Sequence, residues 1–170
     1  MATFEPIATK ILRWEGGFVD DPSDRGGATN RGVTLGTWRR AGYDKDGDGD
    51  VDTDDLRLLT REDFRMIFRK YYWERWQADK ISNQAVAGML VDWVWCSGKW
   101  GIVIPQRLLQ LKDDGIAGPL TLSKVNGADP CKFLMQVYNA RLAFIRNIIR
   151  HDPTQKRFER GWIRRLNDFL

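Results

Sequence analysis

Histidine and cysteine are scarce in this chain of 170 residues, which contains one His and two Cys. The cysteines, Cys96 and Cys131, are too few for a disulfide scaffold, and the residues around them show no metal-ligand spacing. We expect two reduced, partly buried thiols. His151 is expected at the surface near a helix end, and no signature marks either Cys as a nucleophile. A His-based catalytic triad with either Cys is therefore excluded.

Long apolar runs are also absent. The longest nearly apolar stretch covers residues 85–95 and contains Asp92, so it is too short to cross a bilayer. Charges at Glu5, Lys10 and Arg13 interrupt the N-terminal stretch where a secretory signal needs apolar residues, and we expect no Sec-type signal. Gly and Pro number only 16 and 6, which excludes collagen-like and low-complexity chains and predicts a folded protein.

The net charge of +4 hides an uneven distribution. Residues 44–55 contain seven Asp and one Lys, so most of the remaining surface is basic. Such a surface favours an anionic partner, although a solvated helix face explains it as well. The eight Trp are several times the usual share. They suit either a Trp-rich core, which we favour for each Trp taken singly, or flat platforms for sugar rings.

Hydrophobic spacing predicts helices along almost the whole chain and only weak strands, so the expected class is mainly α. Residues 3–14 form an amphipathic first helix, and residues 16–32 a Gly-rich loop that contains a short polar hairpin. Helix starts are predicted at Thr34, at Thr60 with a capping box, at Asn83 and at Asp129. Further helices are predicted for residues 102–111, from Pro119 onward, and for residues 158–169.

The sharpest local motif is DKDGDGDVDTDD, which covers residues 44–55. A twelve-residue calcium loop needs oxygen ligands at positions 1, 3, 5, 7 and 12 and Gly at position 6, where this chain has Gly49. An EF-hand has Glu at position 12, and Asp at that position matches the dockerin-like variant. We predict a structural Ca²⁺ site, since a merely solvated loop would hold several repelling carboxylates together. The predicted ligands are Asp44, Asp46, Asp48, the Asp50 carbonyl and Asp55.

The Gly-rich loop holds the residue types that glycosidic cleavage requires. Two carboxylates in unlike environments are the minimum, one protonated as general acid and the other ionised. Glu15, at the end of the first helix, is the better acid candidate. Asp24 is expected to stay ionised and to activate water with the Thr29 hydroxyl, and Asp20 and Asp21 compete for this second role. The spacing alone is weak evidence, because these Asp side chains also suit turn caps.

These residues carry a resemblance to a known family. The segment WEGGFVDDPSDRGGATNRGVT, residues 14–34, resembles the signature of the glycoside hydrolase family 108 muramidases, which include phage endolysins and secretion-activator lysozymes. The resemblance continues over nearly the whole chain. Its later motifs are VDWVWCSG at 91–98, IPQRLL at 104–109, DGIAGPLTL at 114–122 and RGWIRRLND at 160–168.

The resemblance implies a lysozyme-like helical fold and hydrolysis of the β-1,4 bond between N-acetylmuramic acid and N-acetylglucosamine. The family's catalytic Glu falls on Glu15, and its Asp and Thr match Asp24 and Thr29. The resemblance also implies a catalytic region at residues 1–90, with the calcium loop as a subgroup insertion, and a peptidoglycan-binding region at residues 91–170.

Three further polar residues, Asp92, Gln106 and Asn126, lie near apolar helix ends. They are candidates for binding saccharide or stem peptide, with caps and buried hydrogen bonds as the favoured alternative. The expected partner is peptidoglycan, reached after release or export from the cytoplasm. We expect no nucleic-acid partner and a monomer. A lytic transglycosylase and a non-catalytic, calcium-stabilised wall-binding module remain as alternative functions.

Overall fold

The computed structural model describes residues 1–20 and 27–170, and this part of the chain is mainly helical, which confirms the predicted class. One two-stranded antiparallel sheet, β1 (Thr29–Asn30) and β2 (Val33–Thr34), lies between the first two helices. The helices are α1 (Phe4–Trp14), α2 (Leu35–Ala41), α3 (Thr53–Arg57), α4 (Arg61–Phe68), α5 (Gln84–Ser97), α6 (Trp100–Leu108), α7 (Pro119–Gly127), α8 (Pro130–His151) and α9 (Glu159–Asp168). None of these helices is long and apolar enough to cross a lipid bilayer.

Local capping explains where several helices begin. The side chain of Thr34 accepts a hydrogen bond from the Thr37 amide at the start of α2. Thr60 and Asp63 form the predicted capping box of α4. Asn83 caps α5 and Asp129 caps α8, each by accepting a bond from a backbone amide three residues later. Each cap satisfies amides that a helix start leaves without partners.

Several turns among the described residues depart from ordinary α-helix. Residues Arg69–Trp73 form a π-helical turn, and Glu74–Trp76 and Ala78–Lys80 form 3₁₀ turns. The stretch Pro153–Phe158 is also 3₁₀. Sequence periodicity gave no sign of these turns, because hydrophobic spacing does not distinguish short helical variants from one another.

The described chain divides into two compact units. The N-terminal unit, Glu5–Tyr71, contains α1 apart from its first residue, α2 to α4 and the hairpin. Its core includes Ile11 from α1 and Trp38 from α2, both fully buried, and the stacked rings of Phe64 and Phe68 from α4. Each helix therefore buries one apolar face within this unit.

The C-terminal unit consists of Met1–Phe4 and Tyr72–Leu170. Its centre is α5, in which every residue from Val86 to Val94 is buried. A helix that is apolar on all sides needs neighbours all around it, and α5 packs against α6 and α8. Helix α8 in turn packs against α9. The nearly apolar stretch at residues 85–95 of the sequence accounts for this burial.

The aromatic residues mainly build the cores, as favoured from the sequence. Four of the eight Trp are fully buried, namely Trp38, Trp73, Trp76 and Trp93. The expected burial of the thiols is wrong, because Cys96 and Cys131 are both exposed. They lie in the last turn of α5 and the first turn of α8, where helix ends face solvent.

Candidate active site and acidic loop

Glu15 lies directly after α1, as predicted. Its amide donates a hydrogen bond to the Leu12 carbonyl at 3.3 Å, which extends the last turn of the helix by one residue. The Glu15 side chain is half-buried, and the exposed residues Gly16 and Gly17 follow it. The carboxyl group is thus partly removed from water where a helix gives way to a loop.

Thr29 begins the hairpin that precedes α2. It pairs with Thr34 across the two strands, and the turn between them consists of Arg31 and Gly32. Both turn residues have positive φ, +50° and +75°, as a two-residue type I′ turn requires. The sequence placed a short polar hairpin within residues 16–32, and the observed one occupies the end of that segment and the two residues beyond it.

A backbone bridge connects the chain after Glu15 to this hairpin. The Val19 amide donates to the Thr29 carbonyl, and the Thr29 amide donates to the Val19 carbonyl, both at 2.8 Å. The Thr29 hydroxyl donates to the Gly27 carbonyl at 3.2 Å. Because only three residues separate Glu15 from Val19, the bridge ties the short stretch after the candidate acid to the strand that carries Thr29.

Two of the three candidates for the second carboxylate lie outside the described residues. Asp24 and its competitor Asp21 lie in the segment 21–26, which the structure does not describe. Asp20 is described and exposed. The catalytic roles of Glu15, Asp24 and Thr29 therefore stay predictions.

The acidic loop brings its carboxylates together in two groups. In each group, one oxygen per residue lies within 4.8 Å of the others, and either group could hold a metal ion. The groups are Asp44, Asp46 and Asp48, and Asp50, Asp52 and Asp55. All of the predicted calcium ligands are thus among these six residues.

Backbone geometry in the loop agrees with the predicted ligand spacing. The Asp44 carboxylate accepts bonds from the amides of Gly47 and Gly49, at 2.6 and 2.9 Å, so the chain curls around it. Gly49 has φ of +100°, a conformation that only glycine adopts readily, and position 6 of a calcium loop requires such a turn. Helix α3 follows, capped by Asp52 at position 9.

The acid at position 12, Asp55, is almost fully buried. Its carboxylate accepts bonds from the amides of Lys45 and Asp52, which lower its pKa. Elsewhere in the loop, the nearby charge of Asp48 raises the pKa of Asp50. Partial loss of hydration raises the pKa of Asp46, with the neighbouring carboxylates adding to this effect. The exposed carboxylates repel one another, and a bound cation would relieve this repulsion.

A buried ion pair connects this loop to α4. The Lys45 ammonium lies 2.5 Å from the Asp63 carboxylate, which also accepts bonds from the Tyr43 hydroxyl and the Thr60 amide. Burial acts to raise the pKa of Asp63, but these bonds, first among them that from Lys45, outweigh it and lower the pKa to about 2. Sequence reasoning identified Asp63 only as a capping residue. The contact with Lys45 links residues 18 apart, and no local pattern encodes it.

Asp92, one of the predicted substrate-binding residues, is fully buried in the C-terminal unit. Its carboxylate accepts bonds from Arg141 of α8 at 2.6 Å and from Arg165 of α9 at 2.7 and 3.0 Å. The three side chains therefore join α5, α8 and α9. This arrangement is the buried hydrogen bonding that the sequence left open as the alternative to sugar binding.

Gln106 and Asn126 also serve as internal hydrogen-bonding groups. Gln106 is buried, and its amide bonds the backbone of Gly115 and Ile116 in the turn before α7. Asn126 is exposed, and its side chain bonds the backbone of Ser82 and Lys80. Both therefore stabilise loops, and contact with saccharide stays a prediction for these positions.

A groove of about 520 Å³ lies along α1 and α4 in the N-terminal unit. Three of its lining residues, Arg13, Arg61 and Arg65, are cationic, and Glu62 is the one lining acid among the described residues. Arg13 precedes Glu15 by two residues in the chain. One of the three cations therefore lies on α1, the helix that leads to the candidate acid, and the other two lie on α4.

Comparison with known proteins connects this architecture to cell-wall enzymes. The family model described as glycosyl hydrolase 108 matches residues 8–98, and the model described as a predicted peptidoglycan domain matches residues 100–167. A solved structure of SagA from Brucella abortus is similar over 98% of this chain and 90% of that one, with 27% sequence identity and a TM-score of 0.80. No curated protein matches the chain.

The class that these matches define is a peptidoglycan-directed glycoside hydrolase. The chain belongs to the glycosyl hydrolase 108 family, which confirms the resemblance found in the sequence. The family segments meet near residue 99, whereas the compact units divide after Tyr71. The predicted division into regions 1–90 and 91–170 stays a prediction.

Proposed function

We propose that this protein is an N-acetylmuramidase that hydrolyses the β-1,4 bond between N-acetylmuramic acid and N-acetylglucosamine, with Glu15 as general acid. The observation that carries this proposal is the half-buried carboxyl at the end of α1, within the matched hydrolase segment. A general acid must lie within reach of the bridging glycosidic oxygen and be protonated when the glycan binds. The wall is the proposed place of action.

The reaction requires three groups in distinct roles. Glu15 donates its proton to the bridging glycosidic oxygen as the bond to the anomeric carbon breaks. A water molecule, held by the Thr29 hydroxyl and deprotonated by Asp24, supplies the hydroxide that bonds to that carbon. The proton taken up by Asp24 returns through solvent to Glu15, so that both carboxyl groups regain their starting states. Hydrolysis thus consumes one water and leaves a reducing end.

The products distinguish hydrolysis from the transglycosylase alternative, in which the muramic acid hydroxyl replaces water. We expect mass spectrometry of digested peptidoglycan to show muramic acid at reducing ends, with the mass of one added water per cleavage. A digest by Glu15→Gln processed in parallel corrects for ends already present in the wall. Anhydromuramic acid as the main new end would contradict the muramidase proposal and identify a lytic transglycosylase.

We further propose that residues 44–55 bind one Ca²⁺ ion. The donor set supports calcium because it consists of carboxylate oxygens with a backbone carbonyl at position 7. Asp44, Asp46, Asp48 and Asp55 would supply carboxylates and Asp50 its carbonyl. The bound ion would supply positive charge that offsets the repulsion among these acids. Its role is structural, since Asp55 belongs to α3 and the described residues contain no paired second loop.

Calcium is expected to bind with measurable heat and to raise the unfolding temperature of the protein. At 100 times the Kd, binding stabilises the folded state by about 2.7 kcal/mol. Titration calorimetry and thermal unfolding should both show this response in the wild type. The control variant Asp54→Asn should respond to calcium in the same way, because Asp54 is an exposed acid outside both carboxylate groups. Asp44→Asn should lose it, and an equal response in Asp44→Asn would exclude the proposed site.

A further inference from the structure

The side chain of Asn30 joins the hairpin to α3. Asn30 is the second residue of β1 and is 5% exposed. Its amide nitrogen donates to the Leu56 carbonyl at 2.8 Å and to the Arg57 carbonyl at 3.3 Å. Both acceptors lie in the last turn of α3, where a helix leaves carbonyl groups without intrahelical donors. Asn30 therefore acts as a side-chain cap for a helix that is distant in sequence.

Asn30 and Thr29 are neighbours on a strand, and this fixes the relation between their side chains. Successive side chains of a strand point to opposite faces, and here Asn30 is buried while Thr29 is half-exposed. The Thr29 backbone is already bonded to Val19 on one side and paired with Thr34 on the other. The Asn30 amide adds two buried or part-buried hydrogen bonds from this small sheet to α3, and the neighbouring Arg31 donates to the Leu59 carbonyl just beyond that helix.

We infer that Asn30 is a positioning residue for catalysis: by bonding the end of α3, its amide determines where the Thr29 hydroxyl lies relative to Glu15. This inference rests on the proposed function, in which Thr29 holds the attacking water. A displacement of about 1 Å in a catalytic group can cost about 100-fold in rate. The bond donated by a single buried amide is therefore sufficient to affect turnover.

The isosteric change Asn30→Asp separates hydrogen bonding from packing. It retains the shape of the side chain but replaces the donor by a carboxylate, which repels the two carbonyl oxygens. We expect kcat on soluble peptidoglycan fragments to fall about 10-fold or more, because the hairpin shifts away from α3. KM should change by less than about twofold, because positioning acts on the chemical step. Asn30→Ala removes the donor without adding charge and should give a smaller loss of kcat.

A double-mutant cycle with Thr29→Val tests whether Asn30 acts through Thr29. If Asn30 acts through Thr29, adding Asn30→Asp to the Thr29→Val variant lowers kcat by less than about twofold, because the hydroxyl that Asn30 positions is already absent. Asn83→Ala is the control for lost stability, since it removes the cap of α5 in the other unit at a cost of about 1 kcal/mol. Its kcat should equal that of the wild type.

Circular dichroism at the assay temperature establishes which variants are folded. If Asn30→Asp is unfolded there, Asn30→Ala in the same cycle supplies the test. A folded Asn30 variant with wild-type kcat, or an equal loss with and without the Thr29 hydroxyl, would overturn the inference. Glu15→Gln in the same assay tests the proposed function separately. If Glu15→Gln is inactive while both Asn30 variants are fully active, the proposed function stands and only the positioning role of Asn30 is refuted.

Discussion

Replacing Glu15 by Gln is expected to lower the rate of glycan hydrolysis by roughly 10²–10⁴-fold. The amide has nearly the same shape as the carboxyl group, so substrate contacts and the end of α1 are retained. It has no acidic proton to donate, and the leaving sugar would depart as an unprotonated alkoxide. Turbidity of purified wall suspensions and the release of reducing ends measure this loss directly.

The matched control for this prediction is Glu74→Gln, which makes the same chemical change at an exposed acid in a 3₁₀ turn. We expect Glu74→Gln to lyse walls at the wild-type rate. The unfolding temperature of Glu15→Gln should stay close to that of the wild type, because a half-buried carboxyl is replaced by an isosteric amide. Wall lysis by Glu15→Gln at the wild-type rate would refute the role of Glu15 and favour a function in wall binding.

The second large effect is expected for Asp92→Asn, which should lower the free energy of unfolding by about 3–5 kcal/mol. Asp92 is fully buried and is the common acceptor for the guanidinium groups of Arg141 and Arg165. Its replacement by a neutral amide leaves two largely buried cations without their counter-charge. Chemical denaturation followed by circular dichroism measures this loss.

Asp113→Asn provides the comparison with an exposed ion pair. Asp113 pairs with Arg107, but both side chains are about half-exposed, at 44% and 57%. Water screens such pairs, so this change should cost less than about 1 kcal/mol. Equal losses from Asp92→Asn and Asp113→Asn would show that burial does not determine the strength of the Asp92 contacts.

Much of the helical framework could be predicted because its signals are local. The caps at Thr34, Thr60, Asn83 and Asp129 each bond an amide three residues later, within the same short stretch of chain. The position of Glu15 after the first helix was readable for the same reason, from hydrophobic spacing that ends at a pair of glycines. The acidic loop also has all its predicted ligands within twelve consecutive residues.

The contacts that join distant helices and strands could not be predicted from local sequence signals. Asn30 reaches α3 across 26 residues, and Asp92 reaches Arg165 across 73. Sequence reasoning identified Asp92 as a polar residue in an apolar helix and favoured a buried hydrogen bond over sugar binding, but it could not name the partners Arg141 and Arg165. It also expected Cys96 and Cys131 to be partly buried, because free Cys residues usually are. This expectation was wrong, since the usual behaviour of a residue type does not show which way a helix end faces.

The sequence by itself determined the mainly helical class, several of the helix starts, the candidate acid at Glu15 and the family. Tertiary structure alone decided that Asn30 bonds α3, that Lys45 pairs with Asp63 and that Asp92 holds two arginines. The physical reason is the range of the interactions. Hydrogen bonds of a cap close within one turn of chain, whereas a buried donor finds its distant acceptor only after the helices have packed.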